Sequence, residues 1–181
     1  MTTFFTTLND AMRDVMIRLQ DETRKELESQ GHVLTGSLRD SIEFEITAGD
    51  DNVTGRLFGA DYGVFMEFGV PADNIPFSGT GRKGGKSKYI QGLIRFFQLR
   101  GLDDREAMRA AFATAHVQKR EGMPTRGSFA FSSNGKRTGF LQSTVDRLLP
   151  EFAGIIENKV ALQLELTIVP DVDFEPIKIV I

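Results

Sequence analysis

Between residues 8 and 27 apolar side chains return every three or four positions. Leu8, Met12, Val15, Met16, Leu19 and Leu27 make the row with Thr23, and Arg13, Asp14, Arg18, Asp21, Glu22, Lys25 and Glu28 fill the other side. That spacing predicts an amphipathic helix over about 8–29, stopped by Gly31. Such a stripe has to be buried, so the rest of the chain must offer it an apolar face. Ile42, Phe44 and Ile46 alternate with Glu43, Glu45 and Thr47, the period of a half-buried strand. A turn at Gly49-Asp50-Asp51-Asn52 leads to a second strand over 53–58, giving a hairpin. Leu141, Val145, Leu148, Leu149, Phe152, Ile155, Ile156 and Val160 form another helical stripe, with a kink or two abutting helices expected at Pro150. Leu162, Leu164, Leu166 and Ile168 then alternate as a strand, and Phe174, Ile177, Ile179 and Ile181 suggest a last extended segment. The expected fold class is α+β: a mainly antiparallel sheet from the 41–59 hairpin and the 162–169 strand, with the N-terminal (8–29) and C-terminal (139–161) helices packed on it.

The middle of the chain reads differently. Tyr62-Gly63-Val64-Phe65-Met66-Glu67-Phe68 is a short apolar run whose periodicity assigns no type. Residues 69–87 are a loop by composition, holding Pro71, Pro76 and five glycines, and a loop of that length is usually functional. Two helices follow over 89–99 and 103–120, joined at Gly101. Asp103 and Asp104 suit the start of the second, Lys119 and Arg120 its end, each complementing the helix dipole. A second loop covers 123–136. These features imply one domain over 1–181 with a loop and helical-pair insertion at about 70–136. A short repeat relates Thr35-Gly36-Ser37-Leu38-Arg39-Asp40-Ser41-Ile42 to Thr138-Gly139-Phe140-Leu141-Gln142-Ser143-Thr144-Val145, and reads as a shared way of starting a helical turn with threonine as N-cap.

Catalytic constellations are missing. The chain has no cysteine, hence no disulfide framework and no thiolate metal site. Its two histidines, His32 and His116, lie on different elements outside any metal-binding spacing. Thr80-Gly81-Arg82-Lys83-Gly84-Gly85-Lys86-Ser87 comes close to a phosphate-binding P-loop, but Thr80 stands where the first glycine belongs and Pro76 breaks the segment where a buried strand should precede it. The expectation is a protein that is not an enzyme, with no cofactor and no metal. The beginning, Met1-Thr2-Thr3-Phe4-Phe5, lacks a basic segment followed by a long apolar run, and no stretch approaches the roughly 20 apolar residues of a membrane span, so a soluble protein without a secretory signal is expected.

Net charge is −3, against a protein that wraps nucleic acid, but the charge is unevenly spread. No acidic residue occurs from 74 to 102, where Arg82, Lys83, Lys86, Lys88, Arg95 and Arg100 lie, while Asp171, Asp173 and Glu175 gather near the C-terminal end. With Tyr89, Phe96 and Phe97 interleaved, the basic stretch offers an alternative of another class, a nucleic-acid-binding module built on the glycine loop. Against it, Ile90, Leu93, Ile94, Phe97 and Leu99 fit the buried stripe of a helix.

Three segments in order resemble the tail-completion (head–tail joining) proteins of tailed bacteriophages. Leu34-Thr35-Gly36-Ser37-Leu38-Arg39-Asp40-Ser41-Ile42 is similar to the family's TG-x-L-R-x-S-I, with Thr35, Gly36, Leu38, Arg39 and Ser41 matching. Tyr62, Glu67, Phe68 and Gly69 match its Y-x-x-x-x-E-F-G, although Val70 stands where members commonly have threonine. The stretch from Ala111 through Pro124 and Arg126 is similar to its A-F-A-x-A … K-x-G-x-P-x-R passage. The resemblance implies a virion protein of the neck, assembled in the bacterial cytoplasm as a homo-oligomeric ring, typically a hexamer, through which DNA passes without sequence recognition. Its implied partners are head-completion or adaptor proteins on one side and tail-tube or terminator proteins on the other, with no membrane. The neighbouring role, a tail terminator capping the tube, is the alternative within the class. On this view Arg82, Lys83, Lys86 and Lys88 line the lumen or grip a partner.

Overall fold

The computed structural model describes residues 2–49, 52–79, 87–156, 163–166 and 179–180, with side chains between 8 and 152. It is a mixed helix-and-sheet protein, broadly α+β, and it divides into two compact units: Met1–Phe68 with Ser132–Ile181, and Gly69–Phe131. An insertion was expected at about 70–136.

In the first unit, α1 runs Thr2–Ser29, starting earlier than its apolar row. Met12, Val15, Met16, Leu19, Thr23 and Leu27 are all at most 2 % exposed, so the whole row, threonine included, is core. The hairpin of β1 (Glu43–Ala48) and β2 (Val53–Phe58) receives it. The strands pair antiparallel from Glu43 opposite Phe58 to Ala48 opposite Val53. Alternate residues of β2, Val53, Gly55 and Leu57, are buried, as a two-residue period requires. Gly55 lets α1 come close, because a Cβ there would stand 2.5 Å from the Met16 sulfur and 2.9 Å from that of Met12. Helix α6 (Phe140–Ile156) packs on α1, adding Phe140, Leu141, Val145, Leu148 and Phe152 to one core cluster. It runs as one helix through Pro150, where a break into two abutting helices was one expectation. Across its outer edge Arg147 pairs with Glu22 at 2.6 Å and Arg18 with Glu151 at 3.0 Å.

Strand β3 (Gln163–Leu166) lies beside β2 and β4 (Ile179–Val180) beside β3, in the order β1-β2-β3-β4. Two of the three pairings are antiparallel, in keeping with a mainly antiparallel sheet: β4 runs antiparallel to β3, whereas β3 runs parallel to β2. The chain reaches β3 through helix α6, and a helical crossover delivers the next strand in the parallel sense.

The end of α1 is closed by a distant segment of the same unit. The carbonyl of Ser29 accepts from the Ser133 amide at 2.8 Å, and that of Gln30 from Arg137. Asn134 Nδ2 donates to Glu26 and to Ser29 Oγ, each at 2.8 Å. The last carbonyls of a helix have no partner within it, and here the 133–137 segment provides them.

The second unit holds α4 (Lys88–Leu99) and α5 (Asp104–Glu121). Ala107, Ala111 and Ala115, four residues apart and fully buried, give α5 a smooth face. Ile75, Phe77, Ile90 and Ala115 form the core, flanked by Leu93, Ile94 and Phe112. The expected stripe on α4 therefore holds at Ile90, Leu93 and Ile94, whereas Leu99 at its end is 45 % exposed. Asp103 does more than complement the dipole. Its carboxylate accepts from the Arg105 and Glu106 amides at 2.8 Å, and Glu106 reaches back to the Asp103 amide, a capping box.

Replacing Gly55 with valine should force Met12 and Met16 aside and lower unfolding stability by about 1–3 kcal/mol. Urea denaturation measures this, and an unchanged midpoint would show that the two methionines yield freely.

Candidate functional site

The first two motifs meet in the first unit. Helix α2 (Ser37–Asp40) and helix α3 (Gly63–Phe68) lie side by side: a Cβ on Gly63 would sit 3.1 Å from Leu38. Ser41 Oγ accepts from the Ala60 amide at 2.9 Å while donating to the Leu38 carbonyl at 2.7 Å. Tyr62 reaches the Ser37 side chain. Arg39 extends outward to Asp40 at 2.8 Å and to Glu28 of α1 at 3.0 Å.

The repeat starts two helices, though not as expected. Thr35 does not cap α2: Gly36 occupies the cap with φ 81°, and Thr35 Oγ1 contacts Ser37 Oγ at 2.7 Å. Gly139, before α6, has φ 68°. Both glycine carbonyls accept the amide four residues on, from Asp40 and Ser143, each at 2.8 Å. The remaining matches also share their surroundings. Leu38 and Leu141 are core residues, as are Ile42 and Val145, and the hydroxyls of Ser41 and Thr144 donate one turn back. A left-handed backbone favours glycine, which is why glycine and not threonine sits at the cap.

Glu67 explains the second motif. It is 7 % exposed, on the inner side of α3, and its carboxylate faces the start of α6. Oε2 accepts from the Leu141 amide at 2.8 Å and Oε1 from Gln142 at 3.1 Å, while its own carbonyl accepts from Gly139 at 2.8 Å. A helix N-terminus carries unpaired amides and partial positive charge, so one buried acid answers both needs. Burial pushes the carboxyl above its ordinary range, and the two amides pull the other way. On the outer side of the same helix Phe65 and Phe68 are 53 % and 59 % exposed, and Tyr62, in the turn just before it, is 43 % exposed.

The rest of the second motif and the third belong to the second unit. Val70 and Met123 exchange two backbone hydrogen bonds, at 2.7 and 2.8 Å. Gly69 and Gly122 flank this bridge with φ 73° and 80°. A Cβ on Gly69 would be 2.4 Å from the Met123 carbonyl oxygen, and one on Gly122 2.6 Å from that of Val70. Pro124 follows across a cis peptide bond, and the Arg126 amide donates to Glu121 at 3.1 Å. The bridge is made by the Val70 backbone, so its difference from the threonine of the resembling family leaves the bridge intact, while the valine side chain packs against the core of the second unit.

The other sequence candidates fall as follows. Arg82, Lys83 and Lys86, with the rest of 80–86, lie outside the described residues; Lys88 begins α4. Ser87, the last residue of the near P-loop, has a structural post, its Oγ accepting from the Ile90 amide at 3.2 Å as the α4 N-cap. His32, in the first unit, hydrogen-bonds the Arg137 carbonyl at 3.1 Å, and burial together with the Arg137 charge pushes its pKa down to about 4. His116, in the second, stands edge-on to Phe77 at 4.8 Å. Among the described residues no group of three histidine or carboxylate side chains is placed to hold a metal ion, and no helix is long and apolar enough to cross a membrane. Sequence reasoning named Arg100 only as a charge and missed its ring contacts: the guanidinium lies over Phe96 at 4.4 Å and over Phe131 at 5.1 Å. No family model, no curated protein and no solved structure matches the chain.

Two outcomes follow from these contacts. Glu67→Ala strands the Leu141 and Gln142 amides and should lower unfolding stability by roughly 1–3 kcal/mol. A carboxyl whose pKa is raised by folding stabilises most below its unfolded value and loses that contribution as pH rises through the folded one. The stability difference between wild type and Glu67→Gln should therefore shrink as pH rises above 4.5, and a difference that grows would mean the hydrogen bonds outweigh burial. Separately, Gly69→Ala should open the Val70–Met123 bridge, because the new Cβ and the positive φ both oppose it. Amide exchange at Val70 and Met123 should accelerate while Leu141 keeps its protection.

Proposed function

We propose that the chain is a structural virion protein of a tailed bacteriophage, a tail-completion or head–tail joining subunit that forms a ring at the neck. It does no catalysis and binds no cofactor in this role. The observation that carries the reading is that three motifs, in the order of the resembling family, each occupy a distinct architectural post: the Gly36 cap, the Glu67 lock and the Gly69–Pro124 bridge. Motif residues used to build a scaffold rather than to line a reactive cleft are what a subunit of an assembly needs.

The aromatic row of α3 supports the same reading. Three large side chains more than 40 % exposed, Tyr62 in the turn before α3 with Phe65 and Phe68 on it, have little reason to face water, and aromatic residues are enriched at the buried centres of interfaces. A closed ring is made from head-to-tail contacts between unlike surfaces, so one such face per copy suffices. Neighbouring copies would cover Tyr62, Phe65 and Phe68, with head-completion or adaptor proteins and the tail tube as the layers above and below, and DNA passing through. A tail terminator is the second reading, since it would use the same kind of ring on the same tube.

The test combines mass and phenotype. The purified protein, alone and mixed with tail tubes, should form a discrete oligomer of the size of a ring, and Phe65→Ser with Phe68→Ser should return it to monomer without lowering its melting temperature. Loss of the gene should yield filled heads and tails of normal length that fail to join; overlong tails would favour the terminator. A protein that stays monomeric under both conditions, and is absent from purified virions, is no neck subunit.

A further inference from the structure

The second unit carries a groove of about 660 Å³ that the neck reading leaves unused. One wall is apolar, from Ile75, Pro76 and Phe77, and the other is formed by His116, Lys119 and Arg120 on the last turns of α5. Among the described residues no carboxylate side chain lines it. Phe77 is held edge-on by the His116 ring and tilted against Phe112, which fixes the apolar wall. Lys119 Nζ lies 3.4 and 3.3 Å from the carbonyls of Asp73 and Ile75, long contacts that place its charge over the groove. Arg120 pairs outward with Glu121 at 2.8 Å through one guanidinium nitrogen. The C-terminal end of a helix is itself negative, so attraction for an anion here comes from the side chains alone.

The same chain contains a matching segment. Asp171-Val172-Asp173-Phe174-Glu175 alternates acid with apolar, and in an extended conformation such a run presents three carboxylates on one side and Val172 with Phe174 on the other. We infer that segment 171–175 of one copy binds the Phe77–His116–Lys119–Arg120 groove of a second copy. The carboxylates meet the cationic wall and the apolar side chains meet Ile75, Pro76 and Phe77. A nucleic-acid backbone is the poorer fit, because it would leave the apolar wall uncovered. The contact rests on the chain's own charge pattern, so it stands or falls apart from the neck assignment.

The experiment uses the full-length chain carrying Asp171→Asn, Asp173→Asn and Glu175→Gln, so that its own segment does not compete. A fluorescein-labelled synthetic peptide of residues 169–177 should bind it saturably by anisotropy at low ionic strength, and less at about 1 M salt, where screening is nearly complete. Lys119→Glu with Arg120→Glu should weaken binding by about ten-fold, with an unchanged circular-dichroism melt. A peptide with lysine at 171, 173 and 175 should restore binding to that variant. The inference is overturned if a peptide of residues 169–177 with its three acids changed to amides binds equally well, or if a single-stranded oligonucleotide of equal charge binds the groove more tightly.

Discussion

The first unit depends on one buried acid. Helix α6 supplies Phe140, Leu141, Val145, Leu148 and Phe152 to the core, and its first amides have no partner inside the helix. Glu67 meets the amides of Gly139, Leu141 and Gln142 with three separate oxygens. Burying a carboxylate is unfavourable unless hydrogen bonds compensate, and here they also fix where the helix begins. Because Glu67 sits on α3, the same contact holds α3 in place, with its inner face closed and its aromatic face outward. The position of Phe65 and Phe68 is thus a consequence of an electrostatic contact on the opposite side of the helix.

Burial patterns were the legible part of the sequence. The row on α1, the alternation in β1 and the stripe on α6 all reflect one-sided burial, which a period of 3.6 or 2 expresses directly. Contacts that join distant positions leave no such period. Nothing near Glu67 announces a partner 74 residues away at Leu141; the resemblance marked the residue without giving the reason. The threonine of the repeat looked like a cap by residue type, whereas backbone geometry gave that post to Gly36, and φ is invisible in composition. The 69–87 stretch looked like one continuous loop because the Val70–Met123 pairing spans 53 residues and a short 3₁₀ turn at Ala72–Asn74 has no period to read.

The site shows the same division. The cationic end of α5 was visible as Lys119 and Arg120, two charges suited to a helix terminus, but their second use as a groove wall needed Phe77 and His116 beside them. Likewise the basic stretch offered Arg100 as one more charge, while in the fold it lies over two rings. A guanidinium stacked in this way contributes through shape as much as through charge, which lysine would not reproduce. The alanine face of α5 was read only as part of a family motif; its physical reason is the absence of bulk between two helices.

The bridge between Val70 and Met123 has a consequence for how this chain can vary. Paired residues in such a bridge bring their Cα atoms to roughly 5 Å, so the stretch from Val70 to Met123 is an excursion closed at its base within the second unit. An excursion fastened at its base in this way can lengthen, shorten or exchange its distal parts with little demand on the bridge itself. Natural variation in such a protein should therefore concentrate beyond the clasp, and the two glycines that permit it, Gly69 and Gly122, should be the last positions to change.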